Sequence, residues 1–101
     1  MNTTTQPGPL EVRLSDLLGL VDRLRFAKVA ALPCSVCGDT GPVEVHEPEQ
    51  GLWFASIPLC IPCHRGPEGW HGTRLRWKLR RVNELQAIDR TYRALALANS
   101  A

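Results

Sequence analysis

Two Cys-x-x-Cys pairs, Cys34-Ser-Val-Cys37 and Cys60-Ile-Pro-Cys63, set the strongest constraint on what this chain can fold into. A two-residue gap lets one tight turn present two sulfurs, and four thiolates satisfy the tetrahedral preference of Zn2+. Gly38 follows the first pair, where such a turn calls for a positive φ. Pro62 suits the first turn of a short helix, where its missing N–H costs little. The 22 residues between the pairs have room for a hairpin. Cys34, Cys37, Cys60 and Cys63 are therefore read as the ligands of one structural Zn2+ whose binding also supplies folding free energy. A chain of 101 residues suits one domain, and at that size a core alone leaves a thin stability margin that a metal staple widens.

Other cysteine chemistries fit less of the chain. Cys60-Ile-Pro-Cys63-His64 also matches the pattern of covalent c-type haem attachment. That reading leaves Cys34 and Cys37 without a task, and the opening MNTTTQPGPL has neither a basic n-region nor an apolar h-region. The expected location is the reducing cytoplasm, where paired cysteines point to metal rather than disulfides. No apolar run is long enough to span a membrane, so no membrane partner is expected.

Residues 1–9, rich in Thr, Pro and Gly, read as a flexible lead-in to a single domain over 10–101. Leu10, Leu14, Leu17, Leu18, Val21 and Leu24 follow helical spacing, and Pro33 ends that helix before the first cysteine pair. Val43-Glu44-Val45-His46 alternates like a short strand, with Trp53 to Leu59 as its partner. Gly66-Pro67 and Gly69 stop any helix that begins near Cys60. A long helix is expected from about Thr73 to Ala98, with Leu75, Leu79, Val82, Leu85, Ile88, Tyr92 and Leu95 as its apolar stripe. The expected fold class is α+β: a small zinc-stabilised core built on a hairpin, flanked by an N-terminal helix and a long C-terminal helix.

Charge is distributed unevenly. Between Arg65 and Arg93 eight basic residues face three acidic ones, so this segment carries +5 and the remainder −3, for a net charge of +2. Such a segment points to a localised polyanion contact. Arg74, Lys78 and Arg81 are separated by helical steps of four and three, which aligns them as a stripe able to meet phosphates, while Leu75 and Leu79 mark the inner side. Trp70 and Trp77 flank the stripe as candidates for base stacking, the plainer role for Trp77 being packing against the fold. His46, His64 and His71 are the only histidines, and with the cysteines closing one metal site they are free for a second task.

The series Leu32-Pro33-Cys34-x-x-Cys37-Gly38, Val43-Glu44-Val45-His46 and Pro58-Leu59-Cys60-x-x-Cys63-His64 resembles the HNH endonuclease superfamily. It is most similar to small phage and prophage HNH-type proteins with zinc-binding cysteine pairs. His64-Arg65-Gly66-Pro67-x-Gly69-x-His71-Gly72 and the trailing Asn83-Glu84-Leu85 extend the likeness over residues 26–97. The resemblance implies a treble-clef-like ββα core within the α+β fold, and a metal-dependent hydrolase of DNA phosphodiester bonds. His46 would be the general base toward water, and His64 and His71 the ligands of a second divalent cation (Mg2+, Mn2+ or Ni2+) that stabilises charge on the scissile phosphate. Val45 stands where many members place Asp or His, and Trp53-Phe54-Ala55-Ser56-Ile57 lacks the central Asn. An alternative register makes His46 the ligand and Glu47 the base, and Glu44 shares a strand face with His46 and could add a carboxylate. The alternative function is a catalytically inactive zinc module that binds nucleic acid or a protein partner.

Overall fold

The structure, a computed structural model, describes residues 23–100. The lead-in over 1–9 and the start of the first helix lie outside the described residues. Helix α1 runs through residues 23–30 and closes ahead of Pro33, where the Ala31 and Leu32 amides donate to the Lys28 and Val29 carbonyls. Strand β1 (Val43–His46) pairs antiparallel with β2 (Ile57–Cys60), in the register Val43 with Cys60 through His46 with Ile57. A 3-10 turn, Trp53–Ala55, occupies the first half of the segment expected to be the partner strand. Helices α2 (Ile61–His64), α3 (Leu75–Arg80) and α4 (Glu84–Ser100) follow. The described residues thus form a mixed α+β structure of one two-stranded sheet and four helices. No helix among them is long and apolar enough to cross a membrane.

Two strands alone are marginal in water, so the hairpin needs covering. Helix α2 touches both strands and α4 packs on β2. The buried cluster joins Ile57 and Leu59 of β2 to Trp77 of α3, Val82, and Ala87 of α4, and it includes Cys34, Cys60 and Cys63. The cysteine frame is therefore part of the core. Arg25 ties α1 to the same unit by donating from Nη2 to the Phe54 carbonyl at 2.6 Å and the Ser56 carbonyl at 3.2 Å.

The single helix expected over Thr73–Ala98 is two helices. Arg81 takes a left-handed conformation, φ 56°, as the C-cap of α3. A new start follows: the Asn83 amide donates to Gln86 Oε1 at 2.9 Å, and the Gln86 amide to Asn83 Oδ1 at 2.8 Å. This reciprocal capping box satisfies two amides that a helix start otherwise leaves unpaired, so α4 can begin there at little cost. The break redirects the apolar face. Leu79 and Leu85 are 74% and 77% exposed, and Leu75 and Tyr92 are also exposed, whereas Trp77 is only 2% exposed. Trp77 is thus a core residue and does not present a stacking face; its Nε1–H donates to the Cys63 carbonyl at 2.8 Å. Arg74 also differs from expectation, preceding α3 in a left-handed conformation, φ 62°. Of the expected stripe of cations, only Lys78 lies within a helix; Arg74 and Arg81 bracket it.

Two adjoining candidate metal centres

The first pair sits on a knuckle turn closed by the Gly38 amide donating to the Cys34 carbonyl at 2.8 Å, with Gly38 at φ 78°. The positive φ is open to Gly at no steric cost. Ser35 anchors the knuckle to β2, its amide and hydroxyl both donating to the Pro58 carbonyl at 2.9 and 3.1 Å. The second pair spans the β2–α2 junction, with Pro62 in the first turn of α2. All four cysteines are free thiols. Their Sγ atoms lie within 4.8 Å of one another, with Cys37 and Cys60 3.7 Å apart, so they could hold one metal ion.

Electrostatics support this cluster. Burial pushes the Cys63 thiol up, and the Arg76 guanidinium opposes it by donating from Nε to Sγ at 3.2 Å. Burial likewise raises Cys60. Burial also works to raise Cys37, but the Asp39 backbone and the neighbouring thiols outweigh it and bring Cys37 down to about 7. Sulfurs that share a small buried volume ionise together at low cost only with a cation among them. Arg76, which the sequence pattern did not single out, supplies part of that positive charge.

Three histidines converge nearby. His46 ends β1, His64 ends α2, and His71 lies in the loop between α2 and α3. The loop folds back because the last carbonyls of a helix lack intrahelical partners. The Trp70 amide takes up the Cys63 carbonyl and the His71 amide the His64 carbonyl, both at 2.9 Å, which brings His71 to His64. Glycine makes the close return feasible, since a Cβ at Gly72 would lie 2.2 Å from the Pro67 carbonyl oxygen. Gly72→Ala is therefore expected to destabilise the protein by about 3 kcal/mol, seen as a lower midpoint in chemical denaturation. An unchanged midpoint would mean that the loop does not hold this path.

His46 Nδ1 lies 3.2 Å from His64 Nε2, and His71 Nε2 lies 3.2 Å from the same His64 atom. The three imidazoles offer ligand nitrogens within 4.8 Å of one another. Their outer edges are also occupied. His46 Nε2 is 3.2 Å from Glu84 Oε2, and His64 Nδ1 is 2.9 Å from Glu44 Oε1. Arg65 Nε donates to both Glu44 oxygens at 3.0 Å. Burial holds His46 below its ordinary pKa against the opposing Glu84 contact. The Arg65 and His64 hydrogen bonds hold the Glu44 carboxyl below its usual range. His46 is buried, His64 half-buried and His71 exposed, so the cluster opens to solvent on the His71 side.

The structure therefore gathers His46, His64 and His71 at one point, with Glu44 behind His64. Glu47 instead accepts from the Gly51 amide at 3.3 Å. Glu84, absent from the sequence-based candidates, could have been recognised from Asn83 and Gln86, which mark a helix start and place Glu84 in its first turn. Among the basic candidates, Arg74 stacks 3.6 Å over the Trp70 ring, whose centroid is 6.1 Å from that of His46, so a cation stands beside the histidines. Lys78 and Arg81 are exposed. No family model, curated protein or solved structure matches the chain.

Proposed function

We propose that this chain is a metal-dependent endonuclease of the HNH type, hydrolysing DNA phosphodiester bonds from a treble-clef-like scaffold. The observation that carries the reading is the meeting of His46, His64 and His71 ring nitrogens at a point open to solvent, contiguous with the cysteine frame through Cys63 and His64. The cysteine cluster suits Zn2+. A zinc–thiolate tetrahedron with bonds of about 2.3 Å has edges of about 3.8 Å, and the Cys37–Cys60 separation is 3.7 Å. The histidine cluster suits a divalent transition metal. Bonds of about 2.1 Å give tetrahedral N–N edges of about 3.4 Å, and two edges here are 3.2 Å. Imidazole donors favour Ni2+ or Zn2+ over Mg2+, which prefers oxygen ligands.

Each residue then has a task. His46, His64 and His71 hold the cation. His46 acts here as a ligand and not as the base, because its Nδ1 faces His64 Nε2 and its Nε2 faces Glu84 Oε2, each at 3.2 Å, which leaves neither nitrogen open to a water. Arg74, Lys78 and Arg81 contact phosphates along the strand and hold it in place. A bound divalent cation supplies charge stabilisation at the phosphate and leaving oxygens.

One observation favours a second reading. Both nitrogens of His46 are engaged, so no histidine is left over as a base. A zinc-stabilised module that binds nucleic acid without cutting it also fits that arrangement. A supercoiled-plasmid nicking assay with Mg2+, Mn2+, Ni2+ or EDTA separates the two. Nicking that requires metal is expected, with Ni2+ or Mn2+ outperforming Mg2+. An intact plasmid with every metal, from folded protein that still retards DNA, would select the non-catalytic module.

A further inference from the structure

We infer that Glu84 and Glu44 are positioning residues, fixing the tautomers of His46 and His64 so that bare ring nitrogens face a common cation. This inference rests on the reading of His46, His64 and His71 as metal ligands.

An ionised carboxylate only accepts hydrogen bonds. His46 Nε2 faces Glu84 Oε2 at 3.2 Å and His64 Nδ1 faces Glu44 Oε1 at 2.9 Å, so each of those nitrogens carries the ring proton. A neutral imidazole has one N–H, which leaves His46 Nδ1 and His64 Nε2 as lone pairs. They face each other at 3.2 Å, and His71 Nε2 approaches His64 Nε2 at the same distance. Opposed lone pairs at that separation repel unless a positive charge lies among them. The carboxylates favour this arrangement because they raise the basicity of the ring and hold its orientation.

The two carboxylates are not equivalent. Glu44 is shared with Arg65, which donates to both of its oxygens and withdraws charge from His64. Among the described residues Glu84 makes no such ion pair with a guanidinium, and its partner His46 is buried. Glu84 is also the first residue of α4, whose start is set by the Asn83–Gln86 box. The register of α4 is thereby transmitted to the ring of His46, and the larger effect belongs to Glu84.

The test is a zinc competition titration against a chromophoric chelator on the full chain, which resolves a first equivalent at the cysteines from a second at the histidines. Glu84→Ala is expected to weaken the second equivalent by about 10- to 100-fold while leaving the first unchanged, with Glu84→Gln intermediate and Glu44→Gln smaller. Long-range 1H–15N spectra of the wild type holding only the first zinc equivalent, with the histidines metal-free, are expected to show His46 protonated at Nε2, with that preference lost in Glu84→Ala. Second-equivalent affinity within about twofold of wild type in Glu84→Ala, or a wild-type proton on Nδ1 of His46, overturns the inference. The wild-type spectrum decides the matter even if Glu84→Ala fails to fold. An uncut plasmid combined with weakened second-site binding removes the nuclease reading and leaves the positioning role. Nicking combined with unchanged binding does the reverse.

Discussion

Cys63→Ser is expected to abolish the cooperative fold at ambient temperature, and a strong thiol-competitive chelator should do the same to the wild type. Cys63 is fully buried, and its sulfur belongs to the four-cysteine cluster. Its carbonyl accepts from the Trp70 amide at 2.9 Å and from Trp77 Nε1 at 2.8 Å. Trp77 is the largest fully buried side chain and bridges α3 to β2. Loss of an ion held by these sulfurs would therefore loosen the sulfur frame, the loop that carries His71 and the packing of α3 together. The magnitudes agree with this outcome. Structural zinc contributes about 10–16 kcal/mol of apparent binding free energy, whereas a domain's whole stability is about 5–15 kcal/mol. Far-UV circular dichroism and tryptophan fluorescence during a thermal ramp read the effect. A Cys63→Ser protein that melts cooperatively within a few degrees of wild type, with chelator inert on both, would show that the cysteines do not carry the fold.

Local chemistry made the cysteine frame legible from sequence. A Cys-x-x-Cys turn followed by Gly38 encodes its own geometry, and Pro62 sits in the first turn of α2 as its chemistry dictates. Val43–His46 alternates as a strand should, and it is one. The C-terminal half was harder because its apolar period runs smoothly through a break. Leu75, Leu79 and Leu85 keep helical spacing but are exposed; of the expected stripe Val82 is buried, alongside Trp77, Ala87 and Thr91, which lie off it. Arg81 in the left-handed region turns α4 away from α3, and no single helical stripe spans both. The Asn83–Gln86 box marks that break in the sequence, but the leucine repeat outweighs it on a periodicity argument. Convergence of His71 on His64 was legible only as proximity along the chain. The backbone hydrogen bonds that return the loop to α2 are what place the ring, and the sequence marks them only through the glycines that leave room for the return.

Within the proposed endonuclease, His64→Ala is expected to lower metal-dependent nicking by about three orders of magnitude or more, which corresponds to about 4 kcal/mol of lost transition-state stabilisation. His64 is the hinge of the trio: its Nε2 is 3.2 Å from both His46 Nδ1 and His71 Nε2. Removing it leaves two imidazoles that no longer share a neighbour, so the cation is deprived of its central ligand. Fold retention is expected, because His64 is the last residue of α2 and its backbone carbonyl, not its ring, receives the His71 amide. Unchanged circular dichroism and a retained first zinc equivalent would confirm that the effect is local. The basic residues should behave differently. Neutralising Arg74, Lys78 and Arg81 together should weaken DNA binding across sequences and flatten the dependence of log affinity on log salt by about 0.9 for each phosphate no longer neutralised. Nicking at saturating DNA should survive that change, since charge stabilisation at the reacting phosphate stays with the histidine-bound cation. If His64→Ala nicks at the wild-type rate with the same metal dependence, the histidine cluster is not the catalytic centre. The activity would then have to arise elsewhere on the chain or from a contaminant, which a co-purified Cys63→Ser control would expose.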